Sequence, residues 1–368
     1  MDWPAKAEVL ASSIEKNALH AKACEELEAS LGAVAVAVSG GSDSLAALLL
    51  VYAHFPQLRS RLSVLHFDHC MRGNESEADA RFTREVASAL GLDFQSKGWR
   101  GRDPELTISE AKARHARHKF FDEYVSNSNG SIIVTGHQRD DVLETLMLRI
   151  ARASNLTGLS APRPISRFSN GKTMVRPLLN LSKAELEAHL SAISIEWRTD
   201  KSNEASEFDR NRLRNQVIPK WQESTQFDLG QAAAQVRHYL EEAGEAVDYL
   251  LEQSELSQDG DNPAKLPANL PVNAVLRRWL QLWISSQTEG KALSPVIVND
   301  IIKGLRSCEK NRWSFGTGFI EWSRPIMSYA ETEGRVSEAT FNTVLGIGAR
   351  VELPSGAALE GFKHIASA

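Results

Sequence analysis

The residues best placed to do chemistry are Ser39-Gly40-Gly41-Ser42-Asp43-Ser44, which follow directly on the apolar run Ala33 to Val38. Two successive glycines after a strand let the backbone turn tightly and approach a ligand closely. The serines offer hydroxyls, and the helix that follows offers free N–H groups and a positive dipole end. This is an anion site, and a pyrophosphate is the anion that suits it. The loop carries no lysine, so it is not the Walker pattern. Asp43 reads instead as a magnesium ligand, because a carboxylate together with phosphate oxygens suits that hard cation. A bare glycine pair would read as a turn with a Ser/Asp helix cap. The apolar strand immediately before it favours phosphate binding.

A second constellation holds carboxylates. Asp141 and Glu144 are three apart on an expected helix and so share one face. Two carboxylates facing a crevice suit an ammonium-bearing substrate, and one of them can act as general base on its amine. Asp140 is expected to point elsewhere and cap the helix. The plainer reading is that all three acids only favour the helix N-terminus electrostatically. Glu110, Arg114 and Arg117 share another helical face. An arginine there can neutralise a developing negative charge, or it can simply pair with Glu110, worth a few tenths of a kcal/mol. His66, His69 and His137 fall at strand ends with no zinc spacing and are expected to contact nucleotide or substrate. Arg210, Arg212 and Arg214, with Asn211 and Asn215, can grip successive phosphates or line the active site; salt bridges to Glu207 and Asp209 are the alternative. Trp279, Trp283, Trp313 and Trp322 could stack on bases, but tryptophans at helical spacing are more often core, and that is the expectation.

Strands and helices must alternate to bring these groups together. A helix is expected over residues 5–30, then the strand Ala33–Val38, a buried helix over LAALLLVYAHF, and the strand Leu62–Asp68. Helices over 76–90 and 106–126 follow, then the strand Ser131–His137 and the helix DDVLETLMLRIAR. Such alternation implies βαβ units and a parallel sheet covered on both faces. Ligands bind beyond the carboxyl ends of such strands, so the three polar clusters converge on one crevice. Helices are expected again over 226–257, 272–288 and roughly 295–307, with a Pro/Asn-rich linker over Asp259–Pro271 and a strand-like tail from about Arg312. The fold class is therefore α/β: a parallel-sheet, Rossmann-like nucleotide domain over 1–222, a helical second domain over 223–310, and a small C-terminal region over 311–368.

Bulk properties agree with a soluble enzyme. The chain has 368 residues, enough for two or three domains. No apolar run reaches the roughly 20 residues needed to span a bilayer, and no secretory signal is visible. Cys24, Cys70 and Cys308 are far apart, which argues against disulfides or a metal cluster and for the cytoplasm. The net charge of −5 argues against nucleic acid, but the charge is uneven. Basic residues dominate from Arg139 to Lys183, while ten acids face the single Arg237 between Trp221 and Asp261.

SGGSDS is similar to the PP-loop of the N-type ATP pyrophosphatases, which implies cleavage of ATP between the α and β phosphates. Further segments appear in order: HFDHCMRGNES, SEAKARHARHKFF, TGHQRDDVLETLMLRIARASNLTGLSA, VRPLLNLSKAEL, WRTDKSN and RNRLRNQVIP. Over residues 33 to about 221 this set resembles the tRNA(Ile)-lysidine synthetases. The resemblance implies a ligase that uses ATP and Mg2+ to join L-lysine to the wobble cytidine of a tRNA(Ile) with a CAU anticodon. Its adenylate intermediate would release pyrophosphate and then AMP. Ser39, Gly40, Gly41, Ser42, Asp43 and Ser44, with His66 and His137, would bind ATP, and Asp43 would hold the metal. Asp141, Glu144 and Arg114 would handle lysine, and Arg72, Arg210, Arg212 and Arg214 would meet tRNA. The implied setting is cytoplasmic, without membrane contact, and leaves room for a homodimer. Two departures stand out. Cys70 replaces a glycine, and the turn Arg152-Ala153-Ser154-Asn155 lacks two, although Asn155 tolerates a left-handed backbone. Competing readings are another PP-loop tRNA-modifying enzyme, a small-molecule adenylating ligase, or a non-catalytic RNA-binding protein. Thiolation would want paired cysteines, and a binding module would not need Asp43, Asp141 and Glu144.

Overall fold

Alternating alanine and valine give a strand with no exposed residue, Val34–Ala37 (β1), hydrogen-bonded along both edges. It belongs to the computed structural model, which describes residues 2–68, 74–98, 110–128, 132–168, 170–198, 209–257, 259–288, 290, 293–315, 318–331, 351–352 and 358–359. β1 pairs in parallel with Leu62–Asp68 (β2) on one side and with Ile132–Thr135 (β4) on the other. Asp93–Gly98 (β3) extends the sheet beyond β2. Thr173–Val175 (β6) adds in parallel to β4, and Ile165–Arg167 (β5) closes that edge antiparallel to β6. The order β3-β2-β1-β4-β6-β5 reverses direction between β1 and β4. That is the switch point at which a crevice opens past the strand ends.

Successive side chains of these strands enter two different cores, as period-two geometry requires. Val34, Val36, Val64, Ile132 and Val134 join Trp3–Ser13 (α1), Ala21–Ala29 (α2) and Ser42–His54 (α3) in one core. Ala35, Leu65 and Ile133 join Phe120, Phe121 and Tyr124 of Glu110–Asn127 (α5) in the other. Alanine on that face leaves room for the bulky rings. α3 is buried almost all round, from Leu45 to Tyr52. Asn74–Ala89 (α4) packs on β2 and β3, and Arg139–Ala151 (α6) follows β4.

Several expectations are corrected. The single helix over 5–30 is two helices, α1 and α2, joined by a tight turn at Lys16–Ala18. Ile14 and Leu19 are both buried, at 2% exposed each, and a spacing of five would place them far apart around a straight helix. Val9, expected on the same side, is exposed. The strands β3, β5 and β6 were not foreseen. β3 and β5 are sheet edges with mostly polar or half-exposed residues, so they carry no apolar period. Leu156–Leu159 (α7) and Lys183–Ala192 (α8) complete this part, with Ser182 capping α8.

Residues 209–223 run helically as Asp209–Arg212 (α9), a wide π turn over Leu213–Val217, and Ile218–Glu223 (α10). The wide turn leads into Pro219, which cannot donate a helical hydrogen bond. Leu229–Glu252 (α11) then packs against α6 and α7. Because of that packing the first compact unit runs to Gln253, well past residue 222.

The second unit, Ser254 onwards, has Asn273–Gln287 (α12), Pro295–Ser307 (α13) and an antiparallel sheet. Lys310–Phe315, Gly318–Ser323 and Ile326–Glu331 form its meander. Ala264–Lys265, inside the expected linker, pairs with the third of these strands. Trp279, Trp283, Trp313 and Trp322 are all buried, as expected of core residues. Each indole N–H finds an acceptor: Ser257 O, Asp261 O, Asp300 Oδ2 and Cys308 O.

The glycine-poor turn after α6 keeps its shape by an unexpected route. Ala153, not Asn155, takes the left-handed conformation, at φ 49°. Its N–H bonds Ile150 O and the Ser154 N–H bonds Arg149 O, both at 2.9 Å. This is the double-bonded helix end that usually places glycine at the position of Ala153. Asn155 is extended and accepts the Gly158 N–H at 2.8 Å, capping α7. Ala153→Gly should therefore stabilise the chain by about 0.5–1 kcal/mol, the relief of left-handed strain less the added chain entropy. Urea midpoints at neutral pH test this, and a destabilised variant would show that the turn is unstrained.

Candidate functional site

Gly40 takes φ 98°, which only glycine adopts freely, and Gly41 stands as the N-cap of α3. Gly41 brings no side chain to cap the helix, so the first-turn N–H groups face the loop. The serines hold the turn from inside. Ser44 Oγ accepts the Ser39 N–H at 3.1 Å and donates to Gly41 O at 3.1 Å. Ser42 Oγ donates to Glu187 Oε1 of α8 at 3.0 Å. From outside, the Arg198 N–H donates to Gly40 O at 2.9 Å, while Arg198 Nε holds Asp79 of α4 at 2.7 Å.

The loop after β4 touches this turn directly. A Cβ on Gly136 would lie 2.7 Å from the backbone C and O of Asp43. Only glycine permits that approach, and it locks the start of α6 to the start of α3. His137 is half-buried, with Nδ1 2.8 Å from Thr135 Oγ1. Burial holds it neutral well below the usual histidine range, aided by Arg176, Arg117, Arg114 and Arg210. His66 is buried on β2, donates from Nδ1 to Val38 O at 2.9 Å, and is likewise lowered by burial. Burial and Arg114 bring the Arg176 guanidinium down to about 10. One wall of the crevice is thus cationic.

The facing wall is acidic. Burial pushes Asp43 up to about 6; Lys183 opposes the shift, and Asp141 and Glu187 add to it. Asp141 closes the cap of α6, its Oδ2 accepting the Gln138 N–H at 3.0 Å. Asp140 does not cap α6; its Oδ2 accepts the Lys183 N–H at 2.8 Å and ties α8 to α6. Glu144 is 1% exposed. Arg214 grips it with Nε at 2.5 Å and Nη2 at 3.1 Å, and Arg214 Nη2 lies 3.7 Å from Asp141 Oδ1. Arg210 Nε lies 3.2 Å from Glu144 Oε2, and Arg210 Nη2 donates to Thr145 Oγ1 at 2.9 Å. Burial raises Glu144 above the usual carboxylate range, against the pull of Arg214.

Helical geometry therefore separates the three arginines. Arg210 and Arg214 are four apart and turn together to Glu144, while Arg212 faces away and is exposed. Arg114 is exposed on α5 and acts on His137 by charge. His69, Cys70, Arg72 and Glu207 lie outside the described residues. Gly136, Arg176, Lys183, Glu187 and Arg198 belong to the site although no role was read for them. All but Glu187, which follows the last residue of one, stand inside a quoted motif, but only the fold shows which way each faces.

Magnesium fits Asp43 only in company with phosphates. Among the described residues no three His, Cys, Asp or Glu side chains could hold an ion by themselves. One carboxylate, phosphate oxygens and water are an ordinary set for this cation. A cation there would also offset the cost of keeping Asp43 ionised. No described helix is long and apolar enough to cross a membrane.

Residues 12–221 match the family model described as the PP-loop domain. The tRNA(Ile)-lysidine synthase of Solibacter usitatus is 39% identical over 191 residues, 51% of this chain and 40% of that protein. That of Geobacter sulfurreducens is 38% identical over 189 residues, 50% of this chain and 39% of the relative. That of Chlorobaculum tepidum is 34% identical over 241 residues, 64% of this chain and 70% of the relative. The matches thus span about two-fifths of the first two relatives and more than two-thirds of the third.

The raised Asp43 carries a signed prediction. A folded-state value of about 6 against an ordinary 3.8 means that the native chain holds the proton more tightly than the unfolded one. Its contribution to stability is complete below pH 4 and is lost as pH rises through 6. Asp43→Asn should therefore gain on the parent by on the order of 2 kcal/mol between pH 4 and pH 7. Urea midpoints at both pH values measure this, and an unchanged difference would mean that burial imposes no cost on the Asp43 charge.

Proposed function

Because the chain belongs to the PP-loop family, among the tRNA(Ile)-lysidine synthases, we propose that it ligates L-lysine to the wobble cytidine of tRNA(Ile) with a CAU anticodon at the expense of ATP. The observation that carries the reading is the backbone contact of Gly136 with Asp43. It sets a phosphate loop and an acidic amine site against one another in a single crevice.

In the first step the cytosine O2 attacks the α-phosphorus of ATP. The bond to the β-phosphate breaks, and pyrophosphate leaves with the electron pair. The first-turn N–H groups of α3 receive that charge; Asp43 would hold magnesium, which when bound would supply electrostatic neutralisation of the phosphates. The arginines around His137 face the remaining α-phosphoryl charge. In the second step the lysine ε-ammonium gives up a proton to Glu144 or Asp141. The free amine attacks C2 of the cytosine, and AMP leaves with the oxygen. Burial of Glu144 suits the role, since a raised carboxylate is a better base. Arg214 holds Glu144 in a bidentate pair, so an incoming ammonium has to displace it. Arg212, exposed and turned away from Glu144, suits RNA phosphates.

The reading predicts multiple-turnover AMP release that requires both L-lysine and the tRNA(Ile) transcript. Release independent of lysine would defeat it. Glu144→Gln should raise the KM for lysine at least tenfold and leave that for ATP within about twofold, since a tenfold loss is roughly 1.4 kcal/mol of one charged contact. An unchanged lysine KM would take Glu144 out of the amine site.

A further inference from the structure

The phosphate loop carries no positive side chain of its own. A pyrophosphate leaving from it gathers negative charge that calls for fixed positive groups beside the backbone N–H donors. The cations on the β4 side of the loop are already engaged. Arg214 grips Glu144, and Lys183 Nζ stands 3.8 Å from Glu187 Oε1. The β2 side of the loop is built differently.

There Arg198 lies directly on the turn. Its N–H holds Gly40 O at 2.9 Å. A Cβ on Gly40 would meet Arg198 Cγ at 3.3 Å and Arg198 Cβ at 3.4 Å, so the side chain sets out across the face that glycine leaves bare. Asp79 then fixes the guanidinium, its Oδ1 accepting from Arg198 Nε at 2.7 Å. Asp79 is 5% exposed and belongs to α4, the helix that follows β2. Its own turn is braced by Thr83, whose Oγ1 donates to Asp79 O at 2.9 Å. The arginine is thus tied to the loop at one end and to α4 near the other.

What remains is the tip. With Nε taken, Nη1 and Nη2 bond no described residue, and the side chain is 43% exposed. The stem lies against Gly40 and Nε against Asp79, which leaves the terminal nitrogens to solvent. A guanidinium held in this way still presents two N–H groups in the fork that fits phosphate oxygens. An exposed ion pair adds little to stability by itself. Its seat on the turn that reads as the phosphate site gives this one another use.

We propose that Arg198 supplies the cation that the phosphate loop lacks, its Nη1 and Nη2 donating to the β- and γ-phosphate oxygens of ATP and then to the departing pyrophosphate. Asp79 is a positioning residue, which aims the guanidinium and touches no substrate. The proposal rests on the ATP-splitting reading above. The bond from the α-phosphorus to the bridging oxygen breaks with its electron pair going to pyrophosphate. Arg198 stays protonated throughout and meets that charge by hydrogen bonding.

The test is calorimetric binding of inorganic pyrophosphate, ATP and AMP, each with Mg2+, to the full chain and to its Arg198→Ala and Arg198→Lys variants. Residue 198 is exposed, and the bond from its N–H survives either change, so both variants should fold; thermal melting checks that they do. Arg198→Ala should bind pyrophosphate and ATP at least tenfold more weakly, with AMP within twofold of the parent. Arg198→Lys should recover part of the pyrophosphate affinity, because the charge is kept and the fork is lost. Unchanged pyrophosphate affinity in Arg198→Ala would overturn the assignment. So would an equal loss for AMP, which would make Arg198 only a brace of the Gly40 turn, and so would a lysine variant as weak as the alanine one. If the parent binds neither ATP nor pyrophosphate, the phosphate-loop reading fails and takes the proposal with it. If the parent binds both and Arg198→Ala loses them, while lysine and tRNA leave AMP release unchanged, the proposal stands and the ligase reading alone falls.

Discussion

The site depends on one close approach, the backbone of Gly136 against the backbone of Asp43. β1 and β4 are neighbours in the sheet, and both chains turn upward at the same level. Any side chain at residue 136 would occupy the space of the Asp43 peptide. With glycine there, the first turns of α3 and α6 stand side by side and their dipole ends point into one crevice. The phosphate loop after β1 and the carboxylates of the helix after β4 thereby stand beside one another.

Crowding so many charges into that crevice requires compensation, and the protein supplies it in pairs. Asp43, Asp141, Glu144 and Glu187 would repel one another if left alone. Lys183, Arg210 and Arg214 stand among them, and the hydrogen bond from Ser42 engages Glu187. The pairing of Arg214 with Glu144 illustrates the logic. A buried carboxylate without a partner is expensive, yet a permanent partner would block a substrate cation. An arginine delivered from a separate helical segment keeps the carboxylate satisfied and can be exchanged. The hydrogen bond that Asp140 accepts at the start of α8 serves the same end, since it ties Lys183 and Glu187 to the helix that bears Asp141 and Glu144.

The nucleotide end of the fold was legible because its residue types are local and redundant. AVAVAV can be little but a central strand, and SGGSDS must turn where it does. The parallel α/β class, the phosphate loop and the buried tryptophans all follow from such local patterns. The edges were not legible. β3 and β5 face solvent and carry polar residues, so no period announces them. The turn at Lys16–Ala18 was hidden by a five-residue spacing that only superficially resembles a helical face. Ala153 escaped notice because nothing in a lone alanine signals a left-handed backbone; the two hydrogen bonds that close the end of α6 impose it.

By itself, then, the sequence determined which chemistry is present: a phosphate loop, paired carboxylates on one helical face, and a dense run of arginines. What it could not determine is what each group faces, because orientation is set by contacts between segments far apart in the chain. Arg210, Arg212 and Arg214 look alike as a string, yet helical geometry sends two of them to Glu144 and one outward. Asp140 and Asp141 are adjacent, yet one caps α6 from within and the other fastens α8. A cavity beside α11 has no motif at all. It arises where His20, Arg139 and Arg237, remote from one another in sequence, come to line one hollow.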